Sequence, residues 1–217
     1  MDKPKVIPSA SAWLGRRLRI WARPLSWGGR LYWPLVAVFL VVNGLVAFNA
    51  ALHDPRVGYD AQDHLKYVTT LAQGRLPGPQ DSLQFFAPPL PYVVPALGWR
   101  LTGDIFVAGK LAQAVNALLA LGLTWYLLQL GRLLGPRPAL RLGLLAFLGV
   151  LPVYYKMFAL VRGEPYVAFF TVLAAYQVLR LFARRPRPGH AVRLGVSLGL
   201  GGLSRQLGML LLPAVGL

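Results

Sequence analysis

The sequence predicts an all-α, polytopic transmembrane protein, and three observations carry that prediction: an apolar composition, uncharged runs of spanning length, and a one-sided distribution of charge. Of 217 residues, 56% are hydrophobic and only 14% charged, with a mean hydropathy of +0.51, more apolar than a soluble domain of this length. The 23 Lys and Arg far outnumber the 7 Asp and Glu. In a soluble chain that balance would suggest nucleic acid, but the apolar runs are too long for a basic nucleic-acid module. With no cysteine, a disulfide framework, a thiol nucleophile and a cysteine zinc site are all excluded.

Taken in order, residues 1–30 form a basic segment. Within it, WLGRRLRIWAR at 13–23 alternates Trp, Leu and Ile with Arg, as an amphipathic helix on an anionic lipid surface would. Residues 31–52 carry no formal charge and, at about 1.5 Å per residue, suffice to cross a hydrocarbon core of about 30 Å. The run exceeds the roughly 7–15 residues of a cleavable signal, so it reads as an uncleaved anchor. The loop 53–104 is far longer than an ordinary connection and is therefore expected to be functional or structured. Inside it, Leu65, Val68, Leu71 and Ala72 recur at helical spacing before Gly74 and Pro77, which predicts a surface helix over 60–73. Residues 90–101, after Pro88 and Pro89, are too short to span and are expected in the membrane interface. Runs at 105–130, 140–160, 166–182 and 192–217 complete five crossings, or six if the last is broken. The chain stops at Leu217 inside an apolar run, so residues 31–217 read as the front part of a longer membrane module.

Charge sets the orientation. Placing the amino terminus in the cytoplasm puts its Lys and Arg inside, together with Arg132, Arg137 and Arg141 of one loop and Arg180, Arg184, Arg185, Arg187 and Arg193 of the next. The positive-inside rule is then met. Every acidic residue except Asp2 falls on the outer face: Asp54, Asp60, Asp63, Asp81, Asp104 and Glu164. Carboxylate chemistry, if there is any, belongs on that face of the cell (inner) membrane.

The stretch GYDAQDHLKY at 58–67 places two carboxylates and an imidazole within five residues. Asp60 suits the N-cap of the surface helix and Asp63 its first turn; equally, Asp60 can face a cleft as a general base, with His64 one turn on assisting it or binding a metal. His64 alone reads more simply as a solvated interfacial residue. Glu164, in RGEPY, precedes Pro165 at the start of a span. Glutamate caps poorly, so Glu164 is either an interfacial partner of Arg162 or a functional carboxylate. Arg205 falls inside the last apolar run, where an unpaired arginine costs about 2.5–3.5 kcal/mol on insertion scales, so it is expected to face a cavity, the protein interior or a break at Gly201-Gly202.

Read together, YDAQDHLKYVTTLAQGRLP, APPLPY, RGEPYVAFFTVLAAY and GLSRQLGMLLLP, in this order, resemble the GT-C glycosyltransferases, in particular the protein O-mannosyltransferase and lipid A aminoarabinose transferase families. The resemblance implies transfer of a sugar from a polyprenyl-phosphate donor to a glycan, lipid or protein acceptor at the outer face. It implies Asp60 as catalytic base and Glu164 as a second catalytic acidic residue. The leaving lipid phosphate needs positive charge; Lys156, Arg162 and Arg205 are the available cations, and Asp63, His64 and Glu164 can hold a divalent metal, Mg or Mn. Two departures stand out: Ala61 follows Asp60 where family members often have Glu, and Ala87 stands where a polar or basic residue precedes the Pro-Pro, so a lysine contact to phosphate is not expected there. The competing readings are a secondary transporter, in which Arg205 is an intramembrane site, and a non-catalytic membrane subunit or fragment. The clustering of carboxylates in one outer loop, with no repeated halves, favours the enzyme.

Overall fold

A computed structural model describes residues 31–134, 137–183 and 188–216; the amphipathic stretch at 13–23 and Arg184, Arg185 and Arg187 lie outside the described residues. Among these the chain is helical, with no strand: α1 (Tyr32–Leu52), α2 (Ala61–Ala72), α3 (Leu90–Thr102), α4 (Ile105–Leu134), α5 (Pro138–Val150), α6 (Pro152–Ala159), α7 (Glu164–Ala183) and α8 (Pro188–Gly202), then a 3-10 turn (Gln206–Leu210) and α9 (Leu211–Gly216). The protein is an all-α polytopic membrane protein. The two helices expected inside the long loop are present as α2 and α3.

Three helices are long and apolar enough to cross a membrane, Tyr32–Leu52, Ile105–Leu134 and Glu164–Phe182, and α5 with α6 makes a fourth candidate bent by 68°. The bend has a local cause. Pro152 has no N–H to donate and disfavours helical backbone at the residue before it, and Leu151 is extended, with φ −89° and ψ 108°. The Tyr155 hydroxyl donates to the Gly149 carbonyl at 2.7 Å, satisfying one acceptor near the break.

The last run, 192–217, is broken, the alternative the sequence left open, and neither piece is among the helices long enough to cross a membrane. That run is not one helix: α8 ends at Gly202, Ser204 begins no new helix, Arg205 is extended (φ −159°, ψ 148°) and the chain resumes as a 3-10 turn. Glycine at 201 and 202 weakens the helix. The Gly201 carbonyl then packs so closely on Gly208 that a Cβ there would collide with it.

The long helix α4 is the hub, packed against α1, α3 and α7. Val42 and Val46 of α1 meet Ala120 and Leu123 of α4 and Tyr154 and Phe158 of α6 in one core, each large side chain contributing about 1.5–3 kcal/mol where burial is from water. Within apolar surroundings a polar link between helices adds further cohesion: Asn43 Nδ2 donates to Thr124 Oγ1 at 3.0 Å. On the next face of α4, Lys110 Nζ donates to the carbonyls of Ala50, Ala51 and His53 at 3.1, 2.7 and 2.8 Å, a cation on the negative end of α1. Gln113 Nε2 reaches the His53 and Ala159 carbonyls, and Asn116 Nδ2 the Leu160 carbonyl. One polar face of α4 therefore fixes where α1 and α6 end, and hence where the strap 53–60 begins.

A second core joins α2 and α3 to the start of α4: Tyr67, Val68 and Ala72 with Tyr92, Ala96 and Ala108. Tyr67 stacks on Tyr92 with ring centroids 3.9 Å apart. This packing sets the loop helices over one end of the bundle, the end where α7 begins.

Candidate active site

Asp60 opens α2 in an unexpected way. Its backbone is left-handed (φ 57°, ψ 13°) and its side chain makes no capping bond, so the expected N-cap role is corrected; the first-turn contact is instead the Asp60 carbonyl accepting from His64 N at 3.0 Å. Among the described residues it is the only non-glycine at positive φ. Aspartate tolerates this region better than most side chains but still at a cost of about 1–2 kcal/mol, and such strain clusters at functional sites. The conformation turns the carboxylate away from its own helix, and Asp60 Oδ2 accepts from Gln84 Nε2 at 3.5 Å.

Gln84 is held in place by α2 itself. Ser82 Oγ donates to the Asp63 carbonyl at 2.7 Å and accepts from Gln84 N at 3.0 Å. The Asp63 carboxylate accepts from Leu83 N at 3.4 Å and pairs with Lys66 at 3.5 Å, while Tyr67 donates to the Ala87 carbonyl at 2.9 Å. Asp63 therefore anchors the loop that carries Gln84 and the Ala87-Pro88-Pro89 turn.

The last two motifs meet on the other side of Gln84. Glu164 Oε1 accepts from Arg205 Nη2 at 2.6 Å and from Arg162 Nη2 at 3.1 Å, and Arg205 Nη1 donates to Gln84 Oε1 at 3.4 Å. Leu90 N donates to the Leu203 carbonyl at 3.2 Å and Gln206 Nε2 to the Phe86 carbonyl at 3.1 Å, which ties the Pro-Pro turn to the break after α8. Gly163 lets the strands of chain approach: a Cβ there would stand 3.0 Å from the Ser204 carbonyl. Of the surroundings expected for Arg205, the structure shows the break after Gly201-Gly202. Arg205 sits at that break, beside the first residue of α7, and is paired. Glu164 Oε2 and Arg162 Nε are buried with no hydrogen-bond partner, polar capacity left over beside the paired atoms.

His64 is not solvated, as its lone reading implied, but 1% exposed, with Nδ1 2.7 Å from the Tyr92 hydroxyl. Burial pushes its pKa down to about 4, and the charges acting on it are Glu164, Arg205, Arg162 and Asp60; burial likewise raises the Tyr92 phenol. The imidazole is a neutral support directly behind the charged groups. Lys156 lines a cavity of about 560 Å³ with His53, Gly58, Tyr59 and Tyr155. A smaller cleft of about 160 Å³ is lined by Phe86, Ala87, Pro88, Arg205, Gln206 and Leu207. The strap Gly58–Tyr59–Asp60 runs from the larger cavity to the Gln84 contact.

Among the described residues no three His, Asp or Glu side chains are placed to share an ion: Asp63 holds the loop, His64 faces Tyr92, and Glu164 is taken up by two guanidiniums. What the fold does bring together is Asp60, Gln84, Arg205, Glu164 and Arg162, from four separated stretches. Gln84 was not among the expected residues, since a neutral glutamine in SLQFF carries no pattern; only the neighbouring Pro-Pro hinted that this loop matters.

The model of the family described as dolichyl-phosphate-mannose-protein mannosyltransferase matches residues 87–217. That stretch contains Ala87, Lys156, Arg162, Glu164 and Arg205, whereas Asp60, Asp63, His64 and Gln84 precede it. No curated protein and no solved structure matches the chain.

Proposed function

The chain belongs to the dolichyl-phosphate-mannose-protein mannosyltransferase family, membrane glycosyltransferases of the GT-C kind, and on that premise we propose that it transfers a mannose-type sugar from a polyprenyl-phosphate donor to a hydroxyl of a glycan, lipid or protein acceptor. The observation that carries this reading is the continuous link Asp60–Gln84–Arg205–Glu164, a carboxylate and a guanidinium held a glutamine's width apart. Glycosyl transfer from a lipid phosphate asks for that pairing of a base and a cation.

In the proposed step the Asp60 carboxylate takes the proton of the acceptor hydroxyl as its oxygen bonds to the anomeric carbon. The bond from that carbon to the phosphate oxygen breaks, and the polyprenyl phosphate leaves with the electron pair. Arg205, with Arg162 beside it, meets the charge that develops on the phosphate. Glu164 aligns both guanidiniums, and its unpartnered Oε2 leaves room for the pair to shift toward an incoming anion. Lys156, on the larger cavity, receives the headgroup of the donor lipid before the sugar reaches Asp60. The charge distribution of the sequence supports placing this end of the bundle on the outer face, with the amino terminus in the cytoplasm.

The transporter alternative drew on Arg205 as an intramembrane site; the family match and the link from Arg205 to Asp60 through Gln84 support the enzyme reading instead. The test is incubation of membranes containing the full-length protein with a panel of radiolabelled polyprenyl-phosphate sugars. Label should pass to an extractable acceptor with the wild type and not with Asp60→Asn; absence of transfer from every donor would end the enzyme reading.

A further inference from the structure

The described carboxylates all stand at the α2–α3 end of the bundle or at the start of α7, Asp54 to Asp104 in the loop and Glu164 beside Arg205. At the opposite end, where α4 and α7 finish and α5 begins, there are guanidiniums and no described carboxylate. Two of them are not solvated surface charges. Arg141 is 7% exposed, its stem wedged against Gly131 of α4, where a Cβ would stand 3.0 Å from Arg141 Cγ. Its Nε, and that of Arg180, are buried with no hydrogen-bond partner. Tyr176 links the group: the Arg180 guanidinium lies 5.8 Å from its ring centroid, and both Tyr176 and Arg141 act on the charge of Arg132.

A buried donor without an acceptor is costly, and a guanidinium cannot escape by giving up its proton. Its planar fork fits one acceptor group above others, the phosphate oxyanion. This end of the bundle also carries Tyr32 and Trp33, with ring centroids 5.2 Å apart and Trp33 74% exposed, residue types that are enriched at the headgroup level of membranes. We propose that the ends of α4, α5 and α7 form a binding site for the headgroup phosphate of an anionic phospholipid, with Arg141 and Arg180 as the contacting guanidiniums and Arg132 adding to the field. The site is separate from the carboxylate end and does not depend on the reaction proposed there. A basic end that only set orientation would need no arginine buried between helices.

The test uses the full chain in nonionic detergent, with lipid retention read by native mass spectrometry and stability by thermal midpoint, against phosphatidylglycerol, phosphatidylcholine and inorganic phosphate. The wild type should retain phosphatidylglycerol at least about tenfold more strongly than phosphatidylcholine and show a higher midpoint with it, a ratio of about 1.4 kcal/mol. Arg141→Gln with Arg180→Gln should bring retention down to the phosphatidylcholine level. Arg180→Gln alone should lower it at least about threefold if the double variant does not fold, and Arg56→Gln at the other end should change nothing. Equal retention of the two lipids, or a preference that survives in Arg180→Gln and in any double variant that folds, overturns the site. Equal stabilisation by inorganic phosphate overturns its assignment to lipid.

Discussion

Arg205 and Glu164, 41 positions apart in the sequence, meet at 2.6 Å, and the same guanidinium turns its other nitrogen to Gln84. The break in the chain after α8 makes this possible: an arginine inside a continuous helix would face a neighbouring helix, whereas an extended residue between Gly202 and the 3-10 turn can reach the start of α7. A lysine cannot span both partners, since its ammonium is a single point rather than a fork. Arg205→Lys is therefore expected to keep the Glu164 pair, lose the Gln84 bond, and lower kcat/KM for transfer at least about tenfold, or about 1.4 kcal/mol. Arg205→Ala should cost more. Near wild-type kinetics in Arg205→Lys would show that the bridge to Gln84 does not matter.

Gln84 sets the surroundings of Asp60. Replacing it by glutamate puts a second carboxylate beside the first, and like charges disfavour ionisation. In Gln84→Glu the acid limb of the pH–rate profile should move to higher pH by about half a unit or more, and Gln84→Leu should lower kcat through loss of the amide bond to Asp60. A profile identical to the wild type in Gln84→Glu would remove Gln84 from the site.

Three spans, in α1, α4 and α7, were legible because an apolar run of about 20 residues has few fates other than a membrane crossing. The α2 and α3 helices were legible from apolar spacing and from glycine and proline at their ends. The conformation of Asp60 was not, because aspartate is favoured both as an N-cap and, among non-glycine residues, in left-handed backbone, and residue type alone does not choose. The break beside Arg205 was legible from Gly201-Gly202, but its partners Glu164 and Gln84 were not, since they lie 41 and 121 positions away. The burial of His64 depends on Tyr92, 28 residues later, a tertiary contact with no local signature.

That buried histidine makes stability depend on pH. Its pKa lies near 4 when folded against about 6.5 unfolded, so between these values the unfolded chain binds the extra proton. Stability is complete above about pH 6.5 and falls as pH drops toward 4, by on the order of 3 kcal/mol over the whole window. Asp54 and Asp81, each held at about 2 by hydrogen bonds from Arg56 and Arg75, act only below that window. The thermal midpoint in detergent should decline between pH 6.5 and 4.5 for the wild type and stay nearly level for His64→Gln. Parallel declines in both proteins would show that His64 is not the group responsible.

Orientation can be read with single cysteines, since the chain has none of its own. Leu83 is 70% exposed on the loop that carries Gln84. In Leu83→Cys a membrane-impermeant maleimide added outside intact cells should label the thiol without permeabilisation. Labelling that appears only after the membrane is opened would reverse the proposed orientation and move the carboxylate end to the cytoplasm.

Asp60 itself separates strain from structure. Because its carboxylate makes no capping bond, Asp60→Asn removes charge and basicity but little else: asparagine accepts left-handed backbone, and its Oδ1 can still receive the Gln84 amide. Stability should change by less than about 0.5 kcal/mol, while turnover should fall at least about a hundredfold, the low end for loss of a general base. Asp60→Gly goes further, since glycine relieves the cost of φ 57° and should raise stability by up to about 1 kcal/mol with transfer abolished. A gain in stability together with a loss of activity is what a strained functional residue produces. Asp63→Asn serves as the comparison: it weakens the Lys66 pair and the bond from Leu83 and should cost only a few tenths of a kcal/mol with most activity kept. If Asp60→Asn turned over like the wild type, the base would have to be sought elsewhere, and Glu164, already bound by two arginines, would be poorly placed to replace it.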